Sequence, residues 1–195
     1  MKEENNMTKE VLVTCKSKTS TTMTLQIKGV SYYKGAITKT VNYTGGGQGT
    51  TDSDVKKGSV YTVGNLQYKV TNTSKKTVAV VKKAKSVKSV SVPAIVKIKK
   101  ISFKVTEIGA SVWKNDTSLQ SLSVGATVQT IGANACSGAK NLKKITIKGT
   151  ALKKVGGNAL KNISPKAVIK VPKKKKAAYQ KLFKGKGQKK TVVVK

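Results

Sequence analysis

The sequence of 195 residues contains no histidine and no arginine, and it has only seven acidic residues. Without histidine, a Ser-His-Asp or Cys-His arrangement for nucleophilic catalysis cannot be built. Five of the seven carboxylates lie within residues 1–54, which leaves only Glu107 and Asp116 in the rest of the chain. The sequence therefore has few carboxylates from which a catalytic pair could be formed. We predict that the protein is not an enzyme and that it has no catalytic residues.

Cysteine is also scarce, since the chain has only Cys15 and Cys136. With no histidine and no CxxC spacing, the sequence predicts no zinc site, no other metal site and no cofactor. It leaves open whether the two cysteines pair. No run of 18 apolar residues occurs, so no membrane-spanning helix is predicted. The opening residues MKEENNMTKE lack the apolar core of a signal peptide, so an exported form is expected to be part of a longer chain.

All 40 basic residues are lysines, and the formal net charge is +33. A field of that sign attracts nucleic acid, anionic cell-wall polymers, acidic glycans and anionic membranes. Lysine is a hydrated point charge, however, without the planar fork by which arginine contacts guanine or phosphate through two bonds. Sequence-specific DNA recognition is therefore disfavoured. Charge-driven binding of anionic polymers and a solvated lysine coat without a partner both remain open.

Apolar residues recur along residues 87–171 with a step of 23 or 24 positions, once nine inserted residues in the first copy are removed. The recurring positions are Val87, Val90 and Val92; Leu119, Leu122 and Val124; Leu142, Ile145 and Ile147; and Ile169 and Val171. A unit of this length with the pattern LxxLxV, followed by IGxxA, is a leucine-rich repeat. It predicts a short strand, then a turn and a brief helical or irregular return. Three to four such units must stack to bury their apolar faces.

The segments around the repeats predict two caps. The insert KIKKISFKV, residues 97–105, alternates apolar and polar residues as a hairpin does. A second hairpin is predicted around Gly64-Asn65, followed by a strand at 77–81. The stretch KKKKAAYQKLFKG, residues 173–185, predicts a short helix whose apolar side is Tyr179, Leu182 and Phe183, before a closing strand. The predicted fold class is β-rich, mainly β with short helical segments: a leucine-rich-repeat solenoid with a β-hairpin N-cap and a helix-strand C-cap.

The domain prediction divides the chain near residue 58. Residues 1–58 are rich in Thr, Ser and Gly and are predicted to be a tail or a remnant β segment with a linker. Residues 59–195 are predicted to be the leucine-rich repeat domain, with caps at about 59–86 and 165–195. Within it, Cys136 occupies the position of Trp113 one repeat earlier and of Leu160 one repeat later. A cysteine in a recurring large apolar position is predicted to pack in the core; the alternative is a nucleophile or a metal ligand.

On each repeat strand, the residues that alternate with the apolar positions are predicted to point outward. These candidate ligand-binding residues are Ser89, Ser91, Ser121, Ser123, Lys144, Thr146 and Lys170, with Val168 between the last two. Together they form a hydroxyl-rich surface that becomes basic toward the C-terminus. Such a surface suits hydrogen bonding to a glycan or to an acidic protein segment. The alternative is a solvated sheet face without a partner.

The pattern LxxLxVGxxVxxIGxxA, the inserted hairpin and the ending VPKKKKAAYQKLFKGKGQ resemble the bacterial surface leucine-rich repeats called BspA-like. The resemblance covers about residues 59–195. It implies a solenoid on an exported, often wall-attached protein that works in adhesion and in protein or glycan binding, and it brings no catalytic residues. The family's usual aromatic residue after the repeat alanine is replaced here by Cys136 and Leu160.

The function predicted from the sequence is a non-enzymatic cell-surface scaffold for binding or adhesion. It would present a small concave sheet face to protein or glycan ligands, act as a monomer, and be secreted or attached to the cell wall. The alternative is a polycationic protein that binds anionic polymers, nucleic acid or cell-wall polymer, through its lysines.

Overall fold

The computed structural model describes residues 55–195. The predictions for Cys15, for the tail and for the linker fall mostly on residues 1–54 and lie outside the described residues. Twelve strands, one short helix and a 3-10 turn make up the described part. The strands form two sheets, one of seven strands and one of five, and their inward side chains share one hydrophobic core. The β-rich leucine-rich-repeat fold predicted from the sequence is confirmed.

The N-terminal cap is a three-stranded antiparallel meander. Strand β1 (Val60–Val63) pairs with β2 (Leu66–Asn72) across the predicted Gly64-Asn65 turn, where Gly64 has a φ of 60°. Glycine adopts this left-handed conformation without a steric penalty. Strand β3 (Thr77–Lys83) pairs antiparallel with β2. On its other side it pairs in parallel with a strand of the first repeat, residues 101–108. The cap therefore extends one of the two solenoid sheets.

The residues inserted in the first repeat form the predicted hairpin. Strands β5 (Ile95–Ile98) and β6 (Ile101–Ile108) pair antiparallel across Lys99-Lys100. Strand β6 lies beside β3, so the hairpin joins the N-terminal cap to the repeats. The hydroxyl of Thr127, from the next repeat, lies 2.7 Å from the carbonyl oxygen of Ala94 and 2.8 Å from that of Val105. It therefore ties both ends of the hairpin to the following coil.

The predicted repeat strands form the five-stranded parallel sheet. In spatial order these are β12 (Val193–Val194), β11 (Val168–Lys170), β9 (Lys144–Ile147), β7 (Ser121–Val124) and β4 (Ser89–Val92). The register follows the sequence repeat, because Leu122 faces Ile145 and Ile145 faces Ile169. Strand β12, the predicted closing strand, adds a fifth member to the ladder. The sheet is thus one strand wider than four repeat copies alone would make it.

The return part of each repeat contributes to the seven-stranded sheet. The two-residue strand β8 (Thr130–Ile131) pairs in parallel with β6, and the two-residue strand β10 (Lys154–Val155) pairs in parallel with β8. Turns follow them, so the irregular alternative is the one observed within residues 55–195. Left-handed residues recur in these turns, at Ser111, Asn134 and Asn158 and again at Asn115, Gly138 and Asn162. Asparagine tolerates positive φ better than most residues, which explains its recurrence at these positions.

The C-terminal cap begins with a 3-10 turn at Lys173–Lys175 and continues into helix α1 (Lys176–Phe183). Tyr179 and Phe183 are each only 1% exposed and belong to the core, as predicted for the apolar side of the helix. The Tyr179 hydroxyl donates to the carbonyl of Gly149 (3.0 Å) and accepts from the amide of Leu152 (3.1 Å). Helix α1 thereby supplies hydrogen-bond partners for these two backbone groups of the last complete repeat.

Candidate ligand-binding face

The five-stranded sheet places the predicted ligand-binding residues in two parallel rows. One row is Ser89, Ser121, Lys144 and Val168, and the other is Ser91, Ser123, Thr146 and Lys170. Neighbours in a row sit on hydrogen-bonded strands, about 4.8 Å apart. We call these eight residues the ladder face. All seven residues predicted as a ligand site from the sequence belong to it.

The exposure of the ladder face follows from strand alternation. The residues between its members, such as Leu122 and Ile145, are buried, because successive side chains point to opposite sides of a strand. Ser89, Ser91, Lys144 and Lys170 are exposed, whereas Ser121, Ser123, Thr146 and Val168 are half-buried. The hydroxyl oxygen of Ser123 is buried and has no hydrogen-bond partner among residues 55–195. A ligand would reach this oxygen only after the side chain rotated.

The lysines of the ladder face are not neutralised by the carboxylate side chains of residues 55–195. Asp116 is buried and its Oδ2 lies 2.9 Å from Nζ of Lys83. Glu107 lies on β6, in the other sheet. Lys144 and Lys170 therefore give one end of the ladder face a positive potential, while Ser89 and Ser91 give the opposite end hydroxyl groups.

Two further residues extend the ladder face, and the sequence prediction missed both. Val193 pairs with Val168 and is 50% exposed, so it enlarges the apolar part of the first row. The Lys195 amide donates to the carbonyl of Ile169 at 2.9 Å, which aligns Lys195 with Lys170 in the second row. The closing strand was predicted, but its pairing partner was not. The few residues of this strand contain no local pattern that predicts which strand it pairs with.

Aromatic side chains are absent from the ladder face in the described part of the chain. Trp113, Phe103, Phe183, Tyr179 and Tyr68 are all buried. Stacking against a base or a sugar ring needs an exposed aromatic face. Hydrogen bonding and charge are therefore the means of recognition that this surface offers.

The core interpretation of Cys136 agrees with the structure. Its side chain is 1% exposed, in register with Trp113 and Leu160, which are 0% and 2% exposed. The Trp113 amide donates to the carbonyl of Ala135, and the Cys136 amide donates to that of Ala159. Burial raises the pKa of the Cys136 thiol to about 12, and the Asp116 carboxylate contributes to the shift. The thiolate form that a nucleophile or metal ligand requires is thus disfavoured.

We expect the Cys136 thiol to be protected from modification in the native protein. In a C15A variant, a thiol-reactive aromatic disulfide reagent at pH 8 should react only as the protein unfolds, because the thiol is both inaccessible and protonated. The rate should rise to that of a free thiol in denaturant, measured by absorbance. Native-state reaction at the rate of an exposed cysteine would contradict the buried position.

The residues that the structure describes contain neither a candidate metal site nor a candidate membrane-spanning helix. Within residues 55–195, no three His, Cys, Asp or Glu side chains come together in a way that could hold a metal ion. The same part of the chain also contains no helix with the length and apolar character needed to cross a membrane.

Comparison with protein families gives a match over residues 106–195. This segment matches the family model described as a BspA type leucine rich repeat region, in six copies. No curated protein is significantly similar to the chain. The match confirms the resemblance inferred from the sequence for this part of the chain.

Solved structures similar to this chain include leucine-rich proteins of bacteria. A leucine rich cell surface protein from Faecalibacterium prausnitzii A2-165 is 23% identical with a TM-score of 0.49, covering 59% of this chain and 37% of its own. A leucine-rich repeat protein from Bacteroides ovatus is 17% identical with a TM-score of 0.40, covering 58% of this chain and 38% of its own. The pneumococcal vaccine antigen PcpA is 16% identical with a TM-score of 0.38, covering 60% of this chain and 41% of its own. The chain thus spans well under half the length of these proteins.

Proposed function

We propose that this chain, whose residues 106–195 are BspA-type leucine-rich repeats, is a non-enzymatic binding or adhesion scaffold at a bacterial surface. In this proposal the ladder face docks a protein or glycan ligand. The observation that carries it is the in-register display of the hydroxyl groups of Ser89, Ser91 and Ser121 next to the ammonium groups of Lys144 and Lys170. The surface location rests on the family match and the resemblance.

The sheet gives the ladder face a fixed geometry before any ligand arrives. Each strand of the face is hydrogen bonded to its neighbours, and the side chains beneath it are buried. Docking on such a frame orders few backbone groups, which lowers the entropic cost of association. Strands about 4.8 Å apart place the side chains of each row at regular intervals, which suits an extended ligand that crosses the strands.

Charge selects among the ligands that hydrogen bonding alone would admit. Lys144, Lys170 and Lys195 lie toward one end of the extended ladder face, where Val168 and Val193 add apolar surface. An acidic protein segment or an acidic glycan would place its negative groups there. Complementary charge raises the association rate and suppresses binding of positively charged competitors.

The proposal is tested by charge reversal on the ladder face. The full chain would first be screened against host matrix proteins, glycans, cell-wall polymer and DNA at low and physiological salt. For a ligand that binds at physiological salt, the K144E/K170E variant should lose affinity by about ten-fold or more. The K82E/K97E variant changes the net charge equally on the other sheet and should lose less than about three-fold. Equal losses in the two variants, or none in K144E/K170E, would argue against docking on the ladder face.

A further inference from the structure

A second surface of strong charge lies on the C-terminal cap. Eight lysines between residues 173 and 190 are exposed. They are Lys173, Lys174, Lys175, Lys176, Lys181, Lys184, Lys189 and Lys190. No Asp or Glu occurs anywhere after Asp116 in the sequence. We call these eight residues the lysine cap, and their mutual repulsion is not relieved by a nearby acidic side chain.

The first four of these lysines are placed unfavourably for helix α1. Four consecutive lysines, Lys173–Lys176, occupy the 3-10 turn and the start of α1, and no acidic residue lies in the first turn of either. The N-terminal end of a helix carries the positive end of the helix dipole and favours anions, so cations there lower stability. Helix stability alone would favour acidic residues at these positions. A bound polyanion would remove this repulsion.

The lysine cap is held on a fixed frame. The Gln180 side-chain amide donates to the carbonyl of Val194 at 3.2 Å, which ties α1 to the edge strand β12. The Gln188 side-chain amide donates to the carbonyl of Phe183 at 2.5 Å and folds the following loop against the helix. The lysines are therefore displayed by ordered structure, and a polymer that binds them does not have to order the backbone.

The cap lacks what base or membrane recognition needs. Its aromatic residues Tyr179 and Phe183 are each 1% exposed, and the Tyr179 hydroxyl is engaged with Gly149 and Leu152. They are not available to stack on bases, as single-strand binders require. The apolar side of α1 is packed in the core, so the helix has no apolar face to insert among lipids. Phosphate groups are anions that lysines bind as point charges, without stacking or apolar contact.

We propose that the lysine cap is a docking surface for a linear phosphate polymer without bases. The lysines would pair with successive phosphates through charge alone, independently of the ladder face. Inorganic polyphosphate and a phosphodiester polymer of the cell wall share this chemistry. Binding should be strongly salt-dependent, because each phosphate that is neutralised releases condensed counterions.

The test compares two variants of the full chain with the same change in charge. K173Q/K174Q/K175Q/K176Q removes four lysines from the lysine cap, and K56Q/K57Q/K75Q/K85Q removes four exposed lysines from the N-terminal part. The probes are inorganic polyphosphate, poly(glycerol phosphate), poly(dT), and vesicles of phosphatidylglycerol. Affinity is measured over a salt series, together with the melting temperature of each protein with and without polyphosphate.

The cap variant should bind the base-free polymers about ten-fold more weakly than wild type and with a shallower salt dependence, while the N-terminal variant changes less than about three-fold. Without ligand, the melting temperature of the cap variant should be unchanged or higher, because repulsion at the helix start is relieved. Polyphosphate should raise the melting temperature of the cap variant less than that of wild type. Binding of only one base-free polymer would identify the source of the phosphate. Equal losses in both variants, or tighter binding of poly(dT) or vesicles than of either base-free polymer, would overturn the proposal.

Discussion

Replacing Gly156 by alanine is expected to lower the free energy of unfolding by about 3 kcal/mol or more. A Cβ atom at this position would lie 2.4 Å from the amide nitrogen of Ala133 and 2.7 Å from the carbonyl carbon of Gly132. Both atoms belong to the backbone of the preceding coil, so no side chain can rotate to relieve the overlap. The two coils would have to separate, and the ladder between β8 and β10 would weaken with them.

The neighbouring glycine provides a matched control for this prediction. A Cβ atom at Gly157 would meet nothing within 4 Å among the described residues. G157A should therefore leave stability unchanged or raise it by about 0.4–1 kcal/mol through the unfolded state. Urea unfolding followed by the fluorescence of Trp113, the only tryptophan in the sequence, would measure both variants. Equal midpoints for G156A and G157A would show that the coils are less closely stacked than the structure indicates.

The pairs Ile108-Gly109, Ile131-Gly132 and Val155-Gly156 show what a repeating sequence does and does not reveal. Their recurrence at steps of 23 and 24 residues helped to identify the repeat unit. The physical reason for the glycine required the structure, since a Cβ at Gly132 would lie 2.5 Å from backbone atoms of Gly109 and Ala110. The two-residue strands that end at Ile131 and Val155, directly before Gly132 and Gly156, are too short to show alternation, so the second sheet was not predicted.

The ladder face was predictable because its strands alternate and repeat. Burial of Leu122 and Val124 fixes the outward direction of Ser121 and Ser123, and the 23-residue step places Lys144 and Thr146 beside them. The spacing of apolar residues does not predict contacts between residues that are distant in sequence when the contact occurs only once in the fold. The ion pair between Lys83 and Asp116 is of this kind. The register of β12, which adds Val193 and Lys195 to the face, is another.

The left-handed turns could have been located from the sequence. Asn134, Asn158 and Asn162 all have positive φ, and the first two recur at the repeat spacing. Asparagine outside a regular strand pattern is a known indicator of this conformation. The apolar repeat pattern does not include these asparagines, although they recur with the same period.

Replacing Tyr179 by phenylalanine is expected to destabilise the folded protein by about 2–4 kcal/mol, because two buried backbone groups lose their partner. The Tyr179 hydroxyl is 3.0 Å from the Gly149 carbonyl oxygen and 3.1 Å from the Leu152 amide nitrogen, and both residues are buried. No other hydrogen-bond partner for either group occurs among the described residues. The ring itself would stay in place, so the loss reports on the hydroxyl. Urea unfolding followed by circular dichroism would measure the shift.

Tyr68 separates the effect of the hydroxyl from that of the substitution itself. It is also buried, at 2% exposure, and burial is the only cause that raises the pKa of its hydroxyl, to about 12, without a contribution from a hydrogen bond. Y68F should therefore change the free energy of unfolding by less than about 0.5 kcal/mol. If Y179F were as mild as Y68F, the loop at 149–152 would not depend on the helix, and the C-terminal cap would be an appendage. A large loss confined to Y179F would instead establish that α1 completes the last repeat, which is what holds the lysine cap in its fixed position.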